Sequence, residues 1–279
     1  MFTRTSAYTG RVRRSFALLL LILPGMFLFM SAGRPEPEDE GVLTVYTYDS
    51  FVSDWGPGPE VEARFEQETG IELELVGAGD AGQMLGRTIR EGDDSEADVI
   101  LGLDQSLLRR ALDADILSVY ESELRDQLAE GVDFEPSGYL TPFDYGHFAI
   151  IYDSEVIDTP PSSLEELTDE RFADSLILMD PRTSSPGLGF LMWTVEVYGS
   201  EAADYWRRLE SSILTVTDGW DSGYGLFTSG EAPMVLSYGT SPAYHLEYEE
   251  TRRYQAALFG EGHMTQIEGG GILRWTDQR

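Results

Sequence analysis

The sequence predicts an α/β protein with two lobes, each a mostly parallel sheet flanked by helices. First, apolar runs typical of strands alternate with amphipathic helical segments along the chain. Second, short turns containing glycine join these segments, as they do in β-α-β units. Third, a long extended run at 140–157 ends one series of alternating elements, and a second series follows it. A strand that leaves one α/β unit and begins another predicts two lobes that share a hinge.

The first series contains three strand–helix pairs. In order they are strand 42–48, helix 59–70, strand 71–79, helix 82–92, strand 97–104 and helix 105–117. The first helix is well marked, because Pro59 suits a first helical turn and Gly70 suits the residue that ends a helix. The strand 97–104 is an almost continuous apolar run, which predicts burial on both faces.

The second series follows the hinge run. It predicts a helix near 163–172, a strand at 176–180, helices near 186–198 and 200–211, and a strand within 232–244 that ends in a polar, aromatic loop. The segment 217–227, "TDGWDSGYGLF", is interpreted as a further loop that presents an aromatic ring.

Composition narrows the possible functions. The chain has 279 residues, 42% of them hydrophobic, which is enough for one large or two small globular domains. It contains no cysteine, which excludes disulfides, thiolate zinc sites and cysteine nucleophiles. The formal net charge is −31, which makes nucleic acid and anionic membranes poor partners and favours a cationic small molecule. Alternatively, the acidity serves only solubility.

The N-terminus is typical of an export signal. Four arginines precede an apolar run at 16–30, which is of signal-peptide length and too short to span a bilayer comfortably. Small residues at 31–33 suggest a cleavage zone, so we expect a signal peptide at 1–33, a polar leader at 34–41 and a periplasmic mature protein. An uncleaved membrane anchor is the alternative.

Rings and carboxylates follow the predicted strands. Ligands of parallel α/β sheets sit in the loops after the carboxyl ends of strands, and here those are 49–58, 77–82 and 102–105. Five rings on strand-end segments are Tyr48, Trp55, Trp220, Tyr238 and Tyr244. With Asp49, Asp80 and Asp104 beside them, they predict a box for an organic cation, because ring faces attract positive charge and carboxylates neutralise it. The alternative is that the rings only cover the core.

The stretch "DPRTSSPGLGF", 180–190, follows a strand and opens a helix. Ser184 or Ser185 can cap this helix and Pro186 suits its first turn. The free N–H groups of a helix start attract anions, although a cap without a ligand is the alternative. The three histidines, His147, His245 and His263, are isolated in the sequence, and we interpret them as structural.

Six motifs in order resemble one family. They are "LTVYTYDSFVSDWGPG", "ADVILGLD", "PFDYGHFAIIYD", "DPRTSSPGLG", "TDGWDSGYGLF" and "LSYGTSPAYH". Together they resemble the periplasmic thiamine-binding proteins of bacterial ABC importers, from Val42 to about Glu268. The resemblance implies the type II periplasmic binding fold, with a first lobe at 42–142, a second lobe at 143–266, and a return to the first lobe beginning at 267–279. Family members continue further, so the chain is expected to be C-terminally shortened.

The resemblance also implies a set of ligand contacts. Matched motif by motif, they are Tyr48, Trp55, Asp80, Ala81, Ser184, Ser185, Trp220, Tyr238, Gly239, Thr240, Ser241 and Tyr244. Rings would stack on thiamine, Asp80 would pair with its positive charge or amino group, and the two serines would hold its hydroxyethyl or phosphate end.

The function implied is that of an exported, monomeric, non-catalytic receptor without a cofactor or metal. It would capture thiamine, thiamine monophosphate or thiamine diphosphate and deliver it to an ABC permease, without a nucleic-acid partner. Two alternatives stay open: a polyamine- or ferric-ion-binding protein of the same fold, and a thiamine-degrading transferase. The absence of cysteine disfavours the transferase, whose chemistry uses a cysteine nucleophile.

Overall fold

The computed structural model describes residues 41–277. Its strands are β1 (Leu43–Thr47), β2 (Leu73–Gly77), β3 (Val99–Asp104), β4 (Leu117–Ser118), β5 (Thr141–Asp153), β6 (Leu176–Met179), β7 (Ile213–Thr217), β8 (Met234–Tyr238), β9 (Tyr254–Ala256) and β10 (Thr265–Leu273). Its α-helices are α1 (Asp49–Val52), α2 (Gly58–Thr69), α3 (Ala81–Glu91), α4 (Leu108–Asp113), α5 (Ser185–Tyr198), α6 (Ala202–Leu209), α7 (Trp220–Thr228) and α8 (Ser241–Tyr248). The predicted signal peptide and nearly all of the leader lie outside the described residues.

The first lobe is built on β1, which pairs in parallel with β2 on one side and β3 on the other. Helix α3 covers this sheet because one of its faces is apolar. Met84 and Leu85 on that face are fully buried and pack in one cluster with Tyr46, Ile100 and Leu103. The carboxyl ends of the three strands point to the same edge, which is where the predicted ligand loops begin.

The second lobe repeats this arrangement. Strand β6 pairs in parallel with β7 and β8, and all four residues of β6 are buried, as expected of a strand covered on both faces. Its cluster includes Phe148, Phe190, Tyr205 and Phe227, all nearly inaccessible to solvent. Each lobe therefore has its own hydrophobic core.

Strands β5 and β10 form the hinge between the lobes. The first half of β5 pairs antiparallel with β10, and its second half pairs antiparallel with β8. Strand β10 also pairs with β3, so the strands lie in the order β2-β1-β3-β10-β5-β8-β6-β7, while β4 pairs with β10 and β9 with β5. The two-lobed α/β fold predicted from the sequence is confirmed, and the predicted lobe boundary at 142/143 falls inside β5.

Four predictions about individual elements are wrong. The predicted helix 105–117 is reduced to α4, and 163–172 forms two 3-10 turns, Glu165–Thr168 and Glu170–Phe172, instead of an α-helix. Helices α7 and α8 occupy two segments predicted as loops. Helix α7 begins directly after Gly219, and α8 carries a proline in its first turn, the position where a helix tolerates it. None of the helices in the described part of the chain is long and apolar enough to cross a membrane.

Candidate functional site

A cavity of about 850 Å³ lies between the lobes. Its walls come from α1 and α3 of the first lobe, from α5, α7 and α8 of the second, and from both hinge strands. This volume lies in the range of small-molecule sites. The cavity meets the carboxyl ends of the parallel strands of both lobes, as expected for this class of sheet.

Nine of the twelve predicted contact residues line this cavity. They are Tyr48, Trp55, Asp80, Ser185, Trp220, Tyr238, Thr240, Ser241 and Tyr244. The other three are not among the residues that line it. Ala81 is buried in the first turn of α3, Ser184 is buried and caps α5 by accepting the N–H of Gly187, and the Gly239 N–H donates to the carbonyl of His147.

The aromatic rings converge from both lobes. The ring of Trp55, on the first lobe, lies 6.0 Å from Trp220 and 6.1 Å from Tyr244, both on the second lobe. Tyr224 stacks behind Trp220 at 4.7 Å, and Tyr238 lies 6.4 Å from it. Trp55 is 53% exposed, so burial in the core does not explain its position. The cluster presents ring faces and edges to whatever occupies the cavity.

The carboxylate of Asp80 connects the two lobes. Its Oδ1 accepts the N–H of Ala81 at 2.6 Å and of Ser185 at 3.3 Å, and its Oδ2 accepts the N–H of Trp220 at 2.9 Å. These donors begin α3, α5 and α7, so three positive helix ends meet at one negative charge. Burial raises the pKa of Asp80, and these hydrogen bonds, with one from the Ser184 hydroxyl, oppose that rise.

The start of α5 offers no free N–H group to an anion. The N–H of Ser185 donates to Asp80, that of Gly187 to the Ser184 hydroxyl at 3.3 Å, and that of Leu188 to the Ser184 carbonyl at 3.0 Å. Pro186 has none. The sequence predicted that this helix end attracts an anion. In the structure, the N–H donors of the helix end are already used, one of them by a carboxylate.

Glu268, on the hinge strand β10, is the most perturbed carboxyl group facing the cavity. Its Oε2 accepts the phenolic O–H of Tyr48 at 3.0 Å. It is 7% exposed and lies directly opposite Asp144 of β5 in the antiparallel ladder. Burial, with the nearby carboxylates of Asp144, Asp104 and Asp80, raises the pKa of Glu268 to about 8, while the bond from Tyr48 opposes the rise. A cation in the cavity would relieve this repulsion.

Among the cavity-wall residues that sequence reasoning missed are Asp144, Tyr145, Tyr224 and Glu268. The sequence does contain a signal for Tyr224. It follows Trp220 by four residues, so the two side chains share one helix face once 217–227 is recognised as the start of a helix. The hinge residues had none. Only the pairing of β5 with β10, strands more than a hundred residues apart, brings Asp144 and Glu268 together.

The histidines take part in hydrogen bonds inside the protein. His245 Nε2 and the Tyr224 hydroxyl lie 2.7 Å apart, and His263 Nδ1 lies 2.8 Å from the carbonyl of Phe148. His147 Nδ1 lies 3.0 Å from the Thr265 hydroxyl. Among residues 41–277, no group of three or more histidine, aspartate or glutamate side chains is arranged to hold a metal ion.

A cavity between two lobes that share hinge strands, lined with aromatic rings and buried carboxylates, defines a solute-binding protein. Residues 94–263 match the family model described as bacterial extracellular solute-binding protein. Two curated relatives are each named thiamine-binding periplasmic protein. That of Brucella melitensis is 46% identical over 250 residues, or 89% of this chain and 74% of the relative. That of Salmonella typhimurium is 46% identical over 255 residues, or 90% and 75%.

A solved structure gives the same result. The structure titled periplasmic thiamin binding protein superposes with a TM-score of 0.77 at 44% identity, covering 85% of this chain and 74% of that one. The chain belongs to the family of the periplasmic thiamine-binding proteins, within the bacterial extracellular solute-binding proteins.

Proposed function

We propose that this protein captures thiamine in the cavity between its lobes and delivers it to an ABC importer. The observation that carries the proposal is the meeting of Trp55, Trp220 and Tyr244 across the cleft, in a cavity that the buried carboxyl of Glu268 also lines. Thiamine is a cation with two flat aromatic rings, a thiazolium and an aminopyrimidine, joined by a methylene group. Rings attract the face of such a ligand, and a nearby carboxylate neutralises its charge. The names of the relatives support the same ligand.

Closure of the lobes is the signal that a transporter would recognise. A ligand that touches the rings of both lobes favours the closed arrangement, in which Asp80 reaches Ser185 and Trp220. We propose that the permease binds this closed form of a monomeric protein, and that the protein releases its ligand unchanged.

Calorimetry tests the ligand directly. Purified protein is titrated in parallel with thiamine, its monophosphate, its diphosphate, spermidine and ferric citrate. We expect saturable binding of one thiamine per protein, at least about 100-fold tighter than spermidine. Chromatography of thiamine before and after incubation should show no product. Tighter binding of spermidine or ferric ion than of every thiamine form would exclude the proposal, and a thiamine-derived product would indicate a transferase.

A further inference from the structure

A second cavity, of about 600 Å³, lies beside the first at the junction of the lobes. Its wall includes four arginines: Arg87, Arg90, Arg110 and Arg182. The chain carries 50 acidic residues and 19 basic ones. Four arginines around one cavity are therefore unusual in a molecule with such a large negative net charge. Exposed arginines in such a protein have many carboxylates available as partners.

Two of these arginines have no carboxylate partner. Of the thirteen arginines among residues 41–277, ten form ion pairs, and Arg90, Arg110 and Arg252 do not. Arg90 and Arg110 both reach the same point above Gly86. A Cβ placed on that glycine would lie 3.4 Å from Nη1 of Arg90 and 3.3 Å from Nη2 of Arg110. Two like charges that meet without a counterion repel each other.

The other charged groups on the wall of this cavity leave Arg90 and Arg110 as its two arginines without a carboxylate partner. Arg87 is paired with Glu91 at 2.7 Å, so its charge is partly neutralised. Arg182, from the second lobe, is held in an ion pair with Asp180. One carboxylate, Asp49, also lines the cavity, and its Oδ1 accepts the N–H of Gly79 at 2.9 Å.

Glycines keep the floor of this cavity open. Gly77, Gly79, Gly82 and Gly86 all line it. At Gly82 a Cβ would come within 2.5 Å of the Thr183 carbonyl oxygen. Side chains at these positions would fill the space or push the lobes apart, so their absence leaves backbone close to whatever occupies the cavity.

We propose that this second cavity is a binding site for a phosphate-class oxyanion, held by Arg90 and Arg110. Guanidinium groups match the geometry of phosphate oxygens and form two parallel hydrogen bonds to them. At physiological salt the Debye length is about 8 Å, so the many distant carboxylates repel the anion weakly while the two arginines act at contact.

The phosphate can come from two sources. The two cavities share Asp49, Gly79 and Gln83 on their walls. The occupant is therefore either free inorganic phosphate or the terminal phosphate of a phosphorylated ligand seated in the first cavity. Both use the same chemistry at Arg90 and Arg110.

The experiment compares the parent protein with the double variant Arg90→Gln/Arg110→Gln and with Arg252→Gln. Arg252 is a matched control, since it is also exposed, has no ion pair and lies outside the cavity. Each protein is titrated at 150 mM salt with pyrophosphate, with thiamine and with thiamine diphosphate. We expect saturable binding of pyrophosphate or an advantage of thiamine diphosphate over thiamine. The affinity of the double variant for that ligand should be at least about tenfold lower than that of the parent. The affinity of Arg252→Gln should be lower by less than about twofold.

The pattern of losses identifies the source. Loss of pyrophosphate binding identifies free phosphate, and loss confined to thiamine diphosphate identifies the phosphate of the ligand itself. The proposal is overturned if the parent shows neither effect, or if Arg252→Gln loses as much as the double variant. Thiamine itself should bind all three proteins, because Arg90 and Arg110 do not line the first cavity, so this test is separate from that of the proposed function.

Discussion

The phenolic oxygen of Tyr48 donates a hydrogen bond to Oε2 of Glu268 across 3.0 Å and 220 residues of sequence. Tyr48 follows the first strand of the first lobe, whereas Glu268 lies on the hinge strand β10. The bond therefore ties the residue that follows β1 to the hinge strand. It also leaves the buried carboxyl of Glu268 facing the cavity, opposite Asp144.

The first prediction is that thiamine affinity rises with pH between about 6 and 8. The pKa of Glu268 is raised to about 8 by burial and by Asp144, Asp104 and Asp80, and Tyr48 and Tyr238 also face it. A cation favours the ionised form, so below pH 8 binding must release a proton. Affinity should then rise by at most about tenfold per pH unit and level off above 8.

Titration calorimetry in two buffers of different ionisation enthalpy measures that proton directly. Glu268→Gln keeps the shape of the side chain and cannot ionise, so its affinity should be lower at pH 8 and change less with pH. A parent protein that binds thiamine with the same affinity at pH 6 and pH 8, without releasing protons, would contradict the assignment.

The same group predicts how the stability of the ligand-free protein depends on pH. The folded state raises the pKa of Glu268 above its ordinary value of 4.5, so between about 4.5 and 8 the folded state binds more protons than the unfolded one. Stability is therefore lost as pH rises through this window. Melting temperature should fall from pH 6 to pH 8 more in the parent than in Glu268→Gln, and equal falls would show that Glu268 is ionised throughout.

A third prediction concerns Asp80. In Asp80→Ala the N–H groups of Ser185 and Trp220 lose their acceptor, and a buried donor without a partner costs about 1–3 kcal/mol. Because these donors belong to the second lobe, the cost falls on the closed state. Small-angle scattering should show a larger radius of gyration for the ligand-free variant, and thiamine affinity should fall about tenfold or more.

Asp113→Ala is the matched control for that change. It removes an exposed carboxylate on α4 that pairs only with Arg109, and it should leave both the scattering and the affinity at the parental level. If Asp80→Ala is as compact as the control and binds thiamine equally well, Asp80 does not hold the lobes together.

The sequence predicted the alternating α/β layout and the strand ends that carry ligand residues, because both depend on local patterns. Hydrophobic periodicity marks β1, β3 and α3, and parallel sheets place their functional loops at one edge. Prediction from the sequence failed where tertiary contacts override the local preference for a helix or a loop. The segment 105–117 looks helical, yet its last residue, Leu117, begins β4, which pairs with β10.

The site was predicted in part for the same reason. Tyr48, Trp55 and Trp220 stand out as rings next to turns, and the structure brings them to one cavity. Ser185 and Trp220 could not be predicted as partners of Asp80, because they begin helices 105 and 140 residues away from it. Glu268 looks like an ordinary strand residue until the hinge ladder sets Asp144 opposite it.

A fourth prediction tests Trp55. Its side chain is 53% exposed and lies 6.0 Å from the ring of Trp220, so Trp55→Ala should leave the melting temperature of the ligand-free protein almost unchanged. Loss of a ring facing a cation costs ~0.5–2 kcal/mol, and thiamine affinity should fall by about tenfold. Tyr120→Ala removes a ring that is 50% exposed and outside the cavity, and its affinity should match the parent. Equal affinity in both variants would remove Trp55 from the site.

The last prediction concerns Gly102, which makes room for Tyr48. Its φ is +103°, a conformation that side chains disfavour. A Cβ there would lie 2.4 Å from Cε1 of the Tyr48 ring. The pairing of β3 with β10 also shifts at this residue, since Leu101 and Leu103 face the consecutive residues Gly270 and Gly269. Gly102 is thus the extra residue of a bulge that lets the Tyr48 ring lie against the strand.

Gly102→Ala should therefore strain the backbone and displace the ring together. The conformation alone costs of order 1–3 kcal/mol, and a displaced ring loses its hydrogen bond to Glu268. We expect a lower melting temperature, weaker thiamine binding and a changed pH dependence of binding. Gly260→Ala is the control, because its φ is not positive and the nearest atom to an added Cβ is the Ser162 carbonyl oxygen at 3.9 Å. If Gly102→Ala melts and binds like that control, Tyr48 does not depend on the space above Gly102, and its bond to Glu268 is held by other contacts.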